Sequence, residues 1–149
     1  MILLSACLIG QGCRYDGKSK VVDWVLELSN TGQTIAVCPE VLGGLTIPRL
    51  PCEINGDRIY NQSGADMTSA FVIGAEKTKE IAQIVGARVA IFKANSPSCG
   101  NCKVYNGNFE GVLVDGKGLA VKALEEIGIV VFNENEALEF KQSSLNHKS

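Results

Sequence analysis

The chain has 149 residues, 46% of them hydrophobic, and a formal net charge of -2 from 14 basic and 16 acidic side chains. That length supports one domain with a real core and not two comfortable ones. The mixed charge offers no basic stripe to a nucleic-acid duplex, and no apolar run approaches the roughly 20 residues of a membrane span.

The opening residues lack the basic start and long apolar centre of a secretory leader, so the protein is expected in the cytoplasm. Residues 2–5, Ile-Leu-Leu-Ser, read instead as a buried parallel strand, broken by the loop Gly10-Gln11-Gly12. A helix is expected over residues 19–28, with Val21, Val22, Val25 and Leu28 on one face, ended by Asn30-Thr31-Gly32. Residues 34–37 form a second strand, after which Pro39 stops ladder pairing. Residues 38–66 are the least regular part, punctuated by Gly43, Gly44, Pro48 and Pro51, and carry a small hairpin of residues 52–54 with 58–60. A long irregular segment in a compact domain is usually functional. Asp66 or Thr68 then caps a long helix to about residue 85, burying Phe71, Ala75, Ile81 and Ile84 or Val85, and Gly86 closes it. Residues 89–92 make a third strand, and after the loop 93–102 the stretch 105–109 reads as a turn. A helix over 119–127, closed by Gly128, leads to a fourth strand at 129–132 and a last short helix from 134 to about 141. The polar end, about 142–149 and including His147, is expected to fray.

Strands alternating with helices imply a single α/β domain over residues 1–149. Its expected form is three-layer, with a mostly parallel four-stranded sheet in the order 2-1-3-4, Rossmann-like or flavodoxin-like, and an irregular insertion carrying the small hairpin. In such sheets ligands bind beyond the carboxyl ends of the strands where the order reverses, here between the first and third.

Six cysteines are the unusual feature. In a reducing compartment, thiols in this number are more often ligands or nucleophiles than bridges. Cys7, Cys38 and Cys99 each follow one of the first three strands, so the fold brings them to one edge of the sheet. Any one of them alone reads as a small buried apolar residue. Three thiolates at one edge repel unless a cation neutralises them. A structural zinc wants four protein ligands, whereas a cubane cluster is held by cysteines alone, and three of them leave one iron open. Cys99 and Cys102 form Cys-Gly-Asn-Cys, but a thioredoxin-like pair opens a helix and this one leads toward a turn. Cys13 and Cys52 sit in the Gly/Pro-rich loops as a fourth ligand, a resolving thiol or bystanders, with bystander the default.

Glu40, two residues beyond Cys38, is the candidate general base; its bland role is to accept backbone donors in the Gly43-Gly44 loop. Ser96 is the candidate to position water or relay a proton, unless Ser96-Pro97-Ser98 is turn chemistry alone. Arg14 and Arg49 could bind substrate or simply pair with Asp16 and Glu53. Lys93 stands either near the metal centre or in solvent, and Tyr15 could stack on a base.

Together these residues carry a resemblance. Ser5-Ala6-Cys7-Leu8-Ile9-Gly10 with Arg14-Tyr15-Asp16-Gly17 resembles the opening block of a bacterial thiouracil desulfidase-like family, first described as a domain of unknown function. Cys38-Pro39-Glu40-Val41-Leu42-Gly43-Gly44-Leu45 followed by Pro48-Arg49 is similar to its second block, and Ser96-Pro97-Ser98-Cys99-Gly100 to its third. Gly64-Ala65-Asp66-Met67-Thr68 with Phe71 and Gly74-Ala75 resembles its helix start, and the likeness runs over about residues 2–132. The resemblance implies a [4Fe-4S] cluster on Cys7, Cys38 and Cys99, and backs Ser96 over Ser98. It implies an iron–sulfur-dependent desulfidase that converts a thiolated nucleobase or nucleoside of the thiouracil type to the oxo base, releasing sulfide without redox change. The competing expectation is a non-catalytic sensor module that holds a metal or cluster on the same cysteines.

Overall fold

A short apolar run in a chain this size is stable as a strand covered on both faces, and the computed structural model, which describes residues 1–146, uses four runs in this way. In chain order the elements are β1 (Ile2–Ser5), a 3-10 turn (Ala6–Ile9), α1 (Asp23–Ser29), β2 (Thr34–Val37), α2 (Pro39–Leu42), β3 (Cys52–Asn55) and β4 (Arg58–Asn61). They continue as α3 (Thr68–Val85), β5 (Val89–Phe92), β6 (Lys103–Tyr105), β7 (Leu113–Asp115), α4 (Leu119–Glu126), β8 (Val130–Asn133) and α5 (Ala137–Asn146). The central sheet is parallel, in the order β2-β1-β5-β8, which is the 2-1-3-4 arrangement expected from the sequence. Two antiparallel hairpins, β3-β4 and β6-β7, stand outside it. No helix among the described residues is long and apolar enough to cross a membrane.

Alternation along the strands divides the core. Leu3, Ala90 and Phe92 pack with Ala75 and Ala82 of α3 and with Val121 and Leu124 of α4. Leu4 and Ile91 face the other way, onto Val25 of α1, Phe132 and Phe140 of α5. Of the two candidates at the end of α3, Val85 packs on the core and Ile84 is exposed. The N-cap position is Met67, which makes no side-chain cap bond. Asp66 Oδ1 accepts the amide of Thr68, the first helical residue, at 2.9 Å, while Thr68 Oγ1 accepts the Ile59 amide of β4 at 2.8 Å and does not cap the helix. Hydrogen bonds from the Thr68 side chain and backbone, then from Arg58, hold the Asp66 carboxyl down at about 2.

Four local readings are corrected. α1 begins at Asp23 and not at residue 19, because the amides of Lys20 and Val22 donate to Cys7 O and Leu8 O at 2.8 and 3.0 Å. That strap ties the first loop to the end of β1. Pro39 does more than end β2: it is the first residue of α2, where its fixed φ suits a helix start. The 105–109 turn belongs to a longer connection between β6 and β7, three-residue strands of which β6 buries only Val104 and β7 is exposed throughout. Last, α5 continues to Asn146 instead of fraying from 142, while residues 147–149, including His147, lie outside the described residues. It is docked by Phe140, which packs on Trp24 and Phe132 at 5.6 and 5.8 Å between ring centroids.

The short helix α2 is set in place by a backbone-to-backbone crossing with α3. A Cβ on Gly74 would lie 2.0 Å from Pro39 O, and one on Gly43 would lie 2.0 Å from Ala70 O. Alanine in a helix interior is ordinarily favoured over glycine by about 1 kcal/mol. Here the clash reverses the sign: Gly74→Ala is expected to destabilise the protein by about 3 kcal/mol, as overpacking does. Thermal unfolding should show a midpoint lowered by roughly 10 °C; an unchanged or higher midpoint would mean the two helices separate freely.

Candidate functional site

Three loops leave the carboxyl ends of β1, β2 and β5, and each carries one of the expected cysteines. Cys7 lies in the 3-10 turn directly after β1, where the strap described above holds its carbonyl. Cys38 is the residue from which α2 starts. Cys99 sits in a turn organised by Ser96, whose Oγ accepts the amides of Cys99 at 2.7 Å and Ser98 at 3.3 Å. Gly100 completes that turn, since a Cβ there would meet Lys103 O at 2.7 Å.

A cavity of about 400 Å³ opens over these loops, and Cys7, Cys38 and Cys99 all line it, as do Glu40 and Ser96. Cys13 and Cys52 line it too. Cys13 is joined to this group through its carbonyl, which Cys38 Sγ reaches at 3.7 Å and to which Arg49 Nη2 donates at 2.9 Å. Sequence spacing missed it because the loop after Gly12 folds back tightly on Gly17, which no strand period reports. Cys102 is exposed and stands apart from the lining, and all six cysteines are free thiols. The Cys99–Cys102 segment leads into β6 and not into a helix, unlike a thioredoxin-like pair.

Burial and neighbouring groups together raise Cys13, Cys38, Cys52 and Cys99 above the ordinary thiol value. Desolvation pushes Cys99 up to about 12, with hydrogen bonds from Ser5 and Ser98 working against it. Burial and then the Glu40 charge raise Cys52 to about 11. Cys38 is raised beyond the ordinary thiol range, first by its hydrogen bond with Cys13 and then by burial. At Cys13 the bond with Cys38 pulls downward, but the bond with Cys7 and burial outweigh it. Such sulfurs stay protonated until a positively charged centre converts them to thiolates.

The donor set fits an iron–sulfur cluster, being all soft sulfur in a largely buried pocket. Among the described residues no three His, Cys, Asp or Glu side chains close on one point as a single ion requires. A cluster gives each thiolate its own iron, so sulfurs distributed along a cavity wall suit it better than they suit zinc.

Glu40 does not serve the Gly43-Gly44 loop. Arg49 donates to its Oε1 from Nε at 3.2 Å and Nη2 at 3.1 Å, and Ser98 Oγ donates to Oε2 at 2.9 Å. Arg49 thus pairs with Glu40 and not with Glu53, and its remaining donors reach Thr46 O at 3.0 Å and Cys13 O at 2.9 Å. Ser98 is the hydroxyl in contact with Glu40; Ser96 Oγ stands 3.2 Å from Ser98 Oγ, one step further along the same chain. Lys93 lines the cavity and pairs with Glu134 at 3.0 Å instead of pointing to solvent. Arg14 lies 6.0 Å from the Tyr15 ring centroid, and Asp16 accepts the Lys18 amide, so the expected Arg14–Asp16 pair does not form. Tyr15 is half-exposed among the cavity residues.

Comparison with known proteins adds three findings. A sequence profile of the 2-thiouracil desulfurase family matches residues 2–136. The chain is 38% identical over 146 residues to the uncharacterized protein YbbK of Bacillus subtilis (strain 168), an alignment spanning 91% of this chain and 97% of that one. It is also similar to the solved structure of the [4Fe-4S]-dependent thiouracil desulfidase TudS, with 44% identity, a TM-score of 0.91 and 95% of each chain covered.

Proposed function

Since this chain belongs to the 2-thiouracil desulfurase family, we propose that it is an iron–sulfur-dependent desulfidase, with Cys7, Cys38 and Cys99 holding a [4Fe-4S] cluster. The substrate is a thiolated pyrimidine of the thiouracil type. Water and the C=S group yield C=O and hydrogen sulfide, with no change in oxidation state at carbon. The observation that supports this reading is the meeting of three strand-end thiols and one clamped carboxylate in a single cavity.

When bound, the cluster supplies an open, soft, Lewis-acidic iron suited to a thiocarbonyl sulfur. The protein supplies the proton chemistry. Glu40 takes the proton from the attacking water as general base, with one oxygen fixed by Arg49 and the other by Ser98. Ser96 and Ser98 form the hydroxyl chain along which a proton can move between Glu40 and the pocket. Arg49 also compensates the carboxylate charge beside the thiols.

Cys13 defines a second ligand reading, favoured by its place in the cavity lining and by the approach of Cys38 Sγ to its carbonyl at 3.7 Å. In that case it replaces Cys7 as the donor from the first loop.

The test is anaerobic reconstitution with iron and sulfide, metal analysis, and incubation with 2-thiouracil. A brown protein that forms uracil and equimolar sulfide is expected. A protein that binds iron but leaves thiouracil intact would favour the sensor reading, and one that takes up neither iron nor sulfide would overturn both.

A further inference from the structure

Two non-glycine residues among those described have positive φ, Asn95 at 74° and Phe109 at 53°, and both line the same cavity. Asparagine visits the left-handed region readily; phenylalanine does not. Ten glycines hold positive φ elsewhere in the chain, so the sequence places glycine where such a conformation is merely a turn. At residue 109 it places an aromatic ring instead.

The groups that impose this conformation are visible. Glu53, a buried residue of β3, accepts the amides of Gly107 and Phe109 on Oε1 at 3.0 and 3.2 Å. Gly107 is pressed onto the same strand, where a Cβ would come within 2.6 Å of Ile54 O. A carboxylate taken out of water and bound to backbone donors fixes the loop between β6 and β7 against the first hairpin. Strain that the surroundings over-determine, at a cavity wall, points to a bound partner.

We propose that Phe109 is a specificity-determining residue of the substrate pocket, presenting an aromatic surface to a planar heterocycle, and that Glu53 is its positioning residue. The inference rests on the desulfidase reading for the identity of the heterocycle, and it names what that reading leaves open, the wall that recognises the ring. Phenylalanine makes no directional hydrogen bond, so it selects flatness and apolar faces over the acyclic N–C(=S)–N unit, which carries the same reacting group.

The test compares wild type, Phe109→Gly, Phe109→Tyr and Glu53→Ala as cluster-loaded full-length proteins. Two measurements are made: steady-state kinetics with 2-thiouracil, and calorimetric binding of uracil, which needs no turnover. Phe109→Gly is expected to raise both the KM for thiouracil and the Kd for uracil about tenfold, with kcat within about twofold, as loss of one stacking contact does. Its unfolding midpoint should be no lower than wild type, since glycine relieves the backbone. Phe109→Tyr should restore both constants, and Glu53→Ala should reproduce the tenfold loss. Unchanged KM and Kd in Phe109→Gly would overturn the proposal while leaving the desulfidase reading intact. Phe109-dependent uracil binding without sulfide release would uphold the proposal and remove that reading, and a wild type that binds no heterocycle would overturn both.

Discussion

Replacing Cys38 or Cys99 with serine should leave the reconstituted protein with little of its iron and sulfide and lower sulfide release at least 100-fold. Both thiols sit at strand ends in one cavity, and a serine hydroxyl is a hard, weakly acidic donor where a soft thiolate is required. Cys7→Ser is expected to do the same, whereas Cys13→Ser should keep the cluster. If iron is lost from the Cys13 variant and kept in the Cys7 variant, the ligand from the first loop changes identity and the rest of the site stands. Cys102→Ser should behave as wild type, because that thiol is exposed and outside the cavity lining. Iron, acid-labile sulfide and activity measured on the same anaerobic preparations decide the matter. Full cluster loading in both Cys38→Ser and Cys99→Ser would remove the assignment.

Glu40→Gln should lower kcat by roughly 10²- to 10⁴-fold, the usual worth of a positioned acid–base group, while iron and sulfide content stay at the wild-type level. Glutamine keeps the shape: its amide oxygen can still accept from Arg49, while its amide nitrogen would donate to Ser98 Oγ, so the substitution removes the basic site and reverses one hydrogen bond. A kcat within threefold of wild type, at full cluster loading, would return Glu40 to a structural role. Ser98→Ala addresses the neighbouring hydroxyl through the same readout, and a smaller loss is expected there.

Much of the scaffold was legible because its strands are short apolar runs bounded by Gly and Pro. The stretches 2–5, 34–37 and 89–92 were read at the bounds they have in β1, β2 and β5, and the strand order followed from right-handed crossovers. What escaped was decided by contacts distant in sequence. The amides of Lys20 and Val22 are taken by the turn after β1, which no helical period can report. The β6-β7 hairpin shows too little alternation to be read, because β6 buries Val104 alone and β7 is exposed throughout. Within the site, the cysteines could be placed because each follows a strand, a one-dimensional property. The partner of Arg49 could not, since Glu53 is nearer to it in the chain than Glu40 and only the folding of residues 43–52 brings the more distant carboxylate to it. The contacts of Cys13 and Ser98 were out of reach for a like reason: each meets a partner distant in the chain.

The crossing of α2 on α3 has a consequence for how this chemistry can vary. Cys38 and Glu40 are carried on one turn of backbone, and that turn touches its neighbour without intervening side chains. The backbone spacing between these two residues is therefore set by peptide geometry, while Arg49 and Ser98 hold the Glu40 carboxylate. Adaptation to a larger or smaller substrate has to act on the opposite rim, where loops differ more freely than glycine contacts do.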